Sequence, residues 1–189
     1  MKNMNWPNRL SILRIMLVPV CVLLLHFQNI PCRIAALCVF SIAAATDFVD
    51  GWMARKYNLV TNFGKFIDPV ADKLLVLSTL IALCGIDKIP AWVCIVILFR
   101  ELAVDGLRLV AVEQGKVIAA GKLGKIKTVT QIVAIIFYLL FGCRFGDVSF
   151  IGIVGTIAVC AAVVMTLWSG VDYFVRNRSV LSMGEEKAQ

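Results

Sequence analysis

The chain has 189 residues, 60% of them hydrophobic and only 16% charged, with a mean hydropathy of +0.89. Those proportions exclude a soluble domain and describe a polytopic membrane protein. The net charge of +7 is read as attraction to anionic membrane lipids, carried by the loops, and no nucleic acid is expected as a partner.

One all-α domain is expected over 1–189, without linker, repeat or low-complexity run. Six apolar spans follow in chain order, at roughly 9–29, 33–53, 69–87, 90–111, 127–143 and 149–175. Asn5-Trp6-Pro7-Asn8 opens the first. Pro7 suits a first helical turn, and Trp6 suits a membrane interface. Leu10, Leu13 and Met16 form an apolar stripe with Arg9 and Arg14 off it, so a short amphipathic N-terminal segment on the inner leaflet is expected. No small-residue cleavage site trails this span, which is read as retained. Asn29-Ile-Pro31, Gly85 to Pro90 and Gly142 to Gly146 punctuate later breaks.

Lysine and arginine placement orients the bundle. Only Arg33, Lys88 and Arg144 belong to the loops after spans one, three and five, whereas twelve of the nineteen basic residues belong to the termini and the other two loops. The positive-inside rule puts both termini on the cytoplasmic side. The seven cysteines show no C-x2-C spacing and read as small apolar residues, and His26 has no second ligand nearby.

Two aspartate pairs stand in this apolar context, Asp47 with Asp50 and Asp68 with Asp72. Each carboxylate costs roughly 2.5–3.5 kcal/mol at the centre of a membrane helix, so compensation is required. Spacings of i, i+3 and i, i+4 put each pair on one helix face, with Gly64 one turn before Asp68. Four hard oxygen donors facing one another across two helices suit two divalent cations, Mg²⁺ or Mn²⁺. Such a pair is standard equipment for in-line displacement at phosphorus. Because the first pair closes the second span, the site is placed near a membrane surface.

The string D-x2-D-G-x2-A-R-x8-G-x3-D-x3-D is filled at every fixed position, by Asp47, Asp50, Gly51, Ala54, Arg55, Gly64, Asp68 and Asp72. It resembles the signature of the CDP-alcohol phosphotransferase family. Three further runs, N-W-P-N-R-L-S near the start, R-E-x-A-V-x-G-L-R from Arg100 and A-A-G-K-x-G-K-x-K-T-V-T-Q up to Gln131, are similar to its phosphatidylglycerophosphate synthase branch. The likeness covers about residues 3–135; Trp52 after Gly51 is a mild departure.

The resemblance implies a six-helix homodimer in the bacterial inner membrane, open to the cytoplasm, acting on CDP-diacylglycerol and glycerol 3-phosphate. It also implies roles for residues: Asp47, Asp50, Asp68 and Asp72 as metal ligands, Asp72 as general base, and Gly51, Ala54, Arg55 and Gly64 on the cytidine-diphosphate side.

Arg100, Glu101, Asp105 and Arg108 crowd four charges into the end of the fourth span. Arg100 and Arg108, two turns apart, can share a face, and with Lys125 and Lys127 they form a candidate cradle for a phosphate dianion. Pairing of Glu101 with Arg108 within the helix, at a neighbour spacing, is the competing structural role. Two rival functions remain open: the same chemistry on inositol phosphate, serine or phosphatidylglycerol, and a small divalent-metal transporter.

Overall fold

The computed structural model describes residues 6–56, 62–115, 118, 121–178 and 180, with side chains at 9–46, 67–68, 70–115, 118, 121, 123–178 and 180. Among these there are six helices and no strand: α1 (Trp6–His26), α2 (Ile30–Lys56), α3 (Asn62–Gly85), α4 (Ala91–Glu113), α5 (Lys122–Phe141) and α6 (Phe150–Arg176). Each predicted span falls on one helix. By length and composition, three of the described helices can cross a bilayer, over Arg9–His26, Leu123–Phe141 and Phe150–Arg176, and Ile30–Thr46 is a shorter apolar run.

α3 and α5 begin well before the apolar segments expected from hydropathy, at Asn62 and Lys122. Hydropathy locates the stretch that tolerates hydrocarbon. The backbone ladder continues past it, because helix hydrogen bonds form as readily outside the apolar zone.

α1 corrects one expectation. The helix is unbroken from Trp6 to His26, so the amphipathic segment is its first turns and no separate element. Its polar side faces inward: Ser11, Arg14, Val18, Cys21 and Leu25, three or four residues apart, are buried, while Leu13, Met16, Val20 and Leu23 are exposed. Arg14 is only 1% exposed and its Nε donates to the Ala43 carbonyl at 3.1 Å. Where the surroundings are lipid, apolar side chains belong outside and polar ones must find partners inside.

Interhelical hydrogen bonds fix the relative directions. Arg14 meets Ala43 and Cys21 meets Ala36, so α1 and α2 run antiparallel. Ser11 reaches Asp68 and Cys21 lies by Thr79, so α1 and α3 run parallel. Cys94 donates to Leu80 O across the antiparallel α3 and α4. Ala36 and Ala43, both fully buried, let α1 approach α2 closely. α6 turns Gly152, Gly155, Val159, Ala162, Thr166, Ser169, Gly170 and Tyr173 inward at helical spacing, against α5 and α4.

Strict alternation brings the end of α2, the start of α3, the end of α4, the start of α5 and the end of α6 to one end of the bundle. The charged residues of the sequence motifs all lie there. At the opposite end the loops are stitched by polar contacts. Phe145 N–H donates to Lys88 O at 2.9 Å, Arg144 Nε to Asp87 O at 2.9 Å, and Lys88 Nζ to Gly142 O at 2.8 Å. Gly142 closes α5 in the left-handed conformation, φ +62°, with its N–H on Tyr138 O.

Candidate active site

The final turns of α2 carry Asp47, Asp50, Gly51, Ala54 and Arg55, and the first turns of α3 carry Gly64, Asp68 and Asp72. Side chains at 47–56 and 62–66 lie outside the described residues, so the expectations for Asp47, Asp50, Arg55 and the small residues are placed only to helix and turn. Asp68 and Asp72 are described, and both are half-buried. Ser11 Oγ donates to Asp68 Oδ1 at 2.5 Å, which ties the first helix to the aspartate face of the third.

Among the described side chains no three carboxylate, histidine or cysteine groups gather in a form that could hold a metal. The described half of the set is nonetheless of the right kind. Two carboxylates one turn apart on α3, one oriented by a hydroxyl, are hard oxygen donors at the bundle end reached by the Asp47 and Asp50 turns. The residues fit a divalent cation.

Beside them opens a cleft lined by Asp72, Lys73, Val76, Leu77, Glu101, Lys127, Thr128 and Gln131, drawn from α3, α4 and α5. Its organising group is Glu101, which is 4% exposed. Lys127 Nζ donates to Glu101 Oε1, Arg100 Nη1 donates to the same oxygen at 3.3 Å, and Lys73 Nζ lies 4.0 Å from Oε2. Lys73 also donates to both oxygens of Asp105. In place of Arg108, the competing partner within α4, Glu101 pairs with its neighbour Arg100 and, across helices, with Lys127 and Lys73: burial drives the carboxylate to the cations around it.

α6 closes the cluster. Arg100 Nη2 donates to Ser169 Oγ at 3.0 Å, and Arg108 Nε donates to Tyr173 Oη at 3.0 Å with its guanidinium carbon 5.5 Å from the Tyr173 ring centre. Gln131 Nε2 donates to Thr166 Oγ1 at 2.9 Å, joining α5 to α6. The two arginines therefore share the α6-facing side of α4. Arg100 is buried and committed to Glu101 and Ser169, Lys127 is buried on Glu101, Arg108 is half-buried and Lys125 is exposed.

Sequence reasoning did not single out Ser11, Lys73, Thr166, Ser169 or Tyr173. Their one signal is periodic: Ser11 with Arg14, and Thr166 with Ser169 and Tyr173, repeat at helical spacing within apolar helices. Polar residues on a single face of a membrane helix mark its inward side.

Residues 4–168 match the family described as CDP-alcohol phosphatidyltransferase. The chain is 47% identical over 189 aligned residues to a Bacillus subtilis protein named CDP-diacylglycerol–glycerol-3-phosphate 3-phosphatidyltransferase, covering 94% of this chain and 97% of that one. A Rickettsia typhi protein of the same name is 41% identical over 170 residues, covering 90% and 95% of the two chains. With that match running over most of its length, the chain belongs to the CDP-alcohol phosphatidyltransferase family.

Proposed function

We infer that the protein transfers the phosphatidyl group of CDP-diacylglycerol to the primary hydroxyl of sn-glycerol 3-phosphate, giving phosphatidylglycerophosphate and CMP. The observation that carries this reading is the meeting, at one end of the bundle, of the aspartate turns of α2 and α3 with a cation cluster built from α3, α4, α5 and α6. In that cluster Lys73, Arg100, Arg108 and Lys127 stand against Glu101 and Asp105, leaving an excess of two positive charges, which suits a phosphomonoester dianion.

Residues 1–189 act as one membrane domain. All six helices span the bacterial inner membrane, both termini and the cleft face the cytoplasm, and the protein is a homodimer, as the resemblance implies. The charges of the site lower the hydropathy of α2, α3 and α4, and on α3 and α4 Lys73, Glu101 and Asp105 are paired within the bundle.

Asp47, Asp50, Asp68 and Asp72 hold two divalent cations, Mg²⁺ or Mn²⁺. When bound, these supply charge neutralisation at the pyrophosphate. Arg55 meets a nucleotide phosphate, while Gly51, Ala54 and Gly64 leave room for the cytidine diphosphate. Arg108 and the exposed Lys125 receive the acceptor's phosphate at the mouth, and Arg100 and Lys127, held by Glu101, lie behind them. The acceptor's primary hydroxyl oxygen attacks the β-phosphorus, its proton passes to Asp72, and the bond to CMP breaks with its electron pair leaving on the CMP phosphate.

Purified protein given CDP-diacylglycerol and a panel of acceptors tests the reading. CMP should be released with glycerol 3-phosphate. Release driven instead by serine, inositol phosphate or phosphatidylglycerol reassigns the acceptor, and metal flux into liposomes without CMP release replaces the enzyme by a transporter.

A further inference from the structure

The end of the bundle opposite the cleft should be poor in positive charge by the positive-inside rule, and its basic residues are Lys88 and Arg144 in loops and Arg33 in the first turn of α2. They come from three separate segments, yet the fold collects all three around Gly142–Phe145. Lys88 Nζ donates to Gly142 O at 2.8 Å, and the Arg33 guanidinium lies so close to the same residue that a Cβ on Gly142 would clash with it. Arg144 Nε donates to Asp87 O at 2.9 Å, beside Lys88.

None of these cations forms a direct ion pair among the described residues, although Lys88 lies within electrostatic reach of Asp147. Among the described residues Arg33 has no side-chain hydrogen bond or ion pair, and its Nε is buried without a partner. The contact of Lys88 is to a carbonyl oxygen. Two carboxylates share this end. Asp87 offers its main-chain oxygen to Arg144. Asp147 takes the Ser149 N–H at 3.2 Å and the Ser149 hydroxyl at 2.9 Å, and these bonds, with a smaller contribution from the Lys88 charge, hold its carboxyl below the usual range. Two like charges against one glycine, with the fork of Arg33 unused, require an anion with several acceptor oxygens. Trp92 packs edge-to-face on Phe145 at this end, centroids 6.0 Å apart, and aromatic residues of this kind favour the membrane interface where lipid headgroups lie.

We propose that Arg33 and Lys88, over Gly142, form a binding site for a phosphate anion, which at this depth is the headgroup phosphate of an anionic phospholipid in the outer leaflet. The site is distinct from the catalytic cleft and depends on the membrane reading, with no dependence on the reaction.

Native mass spectrometry of the full-length protein in detergent, titrated with phosphatidylglycerol, tests this. Wild type should retain one more lipid per chain than the Arg33→Gln/Lys88→Gln double variant. Lys88→Gln alone leaves the packing of Arg33 on Gly142 in place, so it remains informative if the double variant does not fold, and it too should lose most of the added occupancy. CMP release by Lys88→Gln should match wild type, which separates this site from the catalytic one. In a second arm, inorganic phosphate without lipid is added to delipidated protein. A rise in thermal midpoint seen in wild type and absent in Lys88→Gln supports the same site with free phosphate as the source. Equal phosphatidylglycerol retention by wild type and Lys88→Gln, with no phosphate-dependent shift in either, overturns the proposal.

Discussion

Ser11 of α1 donates to Asp68 of α3 at 2.5 Å, the first helix orienting a carboxylate of the third. A hydrogen bond to a charged group contributes about 1.5–3 kcal/mol. Ser11→Ala should therefore raise the divalent-ion concentration needed for half-maximal CMP release by roughly tenfold, at about 1.4 kcal/mol per tenfold. The fold should survive, since Ser11 fills little volume. Replacing any of Asp47, Asp50, Asp68 or Asp72 by Asn should abolish turnover at every metal concentration. Near-normal turnover in two of those four variants contradicts the two-cation assignment.

Arg108, two turns beyond Arg100 on α4, is half-buried with its Nε on Tyr173. Arg108→Ala should raise the KM for glycerol 3-phosphate by roughly tenfold or more while the KM for CDP-diacylglycerol stays put. Tyr173→Phe removes only the orienting bond and should raise the same KM about threefold with kcat unchanged. An Arg108→Ala enzyme that loses nucleotide affinity instead places the acceptor elsewhere.

Glu101 should behave differently from its neighbours. Its removal leaves Arg100 and Lys127 buried without a counter-charge, so Glu101→Ala should destabilise by about 3–5 kcal/mol, measured as loss of midpoint in detergent. Arg108→Ala should lose far less. Equal stability of the two variants contradicts the central place of Glu101.

Topology can be read from two exposed positions at opposite ends. Val148, 90% exposed, lies in the loop before α6, and Glu113 closes α4. On a cysteine-free background, Val148→Cys should react with impermeant reagents in intact cells and Glu113→Cys only after lysis. The reverse pattern inverts the bundle and removes cytosolic access to the cleft.

The helices were legible because apolar runs of membrane length leave the backbone no alternative. The aspartate turns were legible because spacing alone puts each pair on a face. The partners of the fourth-helix charges were not. Arg100, Glu101 and Arg108 sit close together in sequence, which invites pairing along the helix, whereas Ser169, Tyr173 and Lys127 lie far away and become neighbours only through helix packing. The sixth span read as plain membrane anchor, since its three inward polar groups are diluted by apolar residues; a face-by-face reading would have separated them. The inward turn of Arg14, which the spacing only set off the apolar stripe, has a related reason. In water the polar face points out, and in lipid that rule is inverted.

The cross-helix pairing of the charge cluster bears on how the protein is made. Arg100 and Arg108 are inserted with α4, but their Ser169 and Tyr173 partners arrive with α6. A nascent chain that stops short of α6 holds two guanidiniums whose α6 partners do not yet exist, in surroundings that penalise them. Such a chain should be loosely closed at the charge cluster. Catalytic competence and structural completeness are reached at the same moment, when the final helix docks.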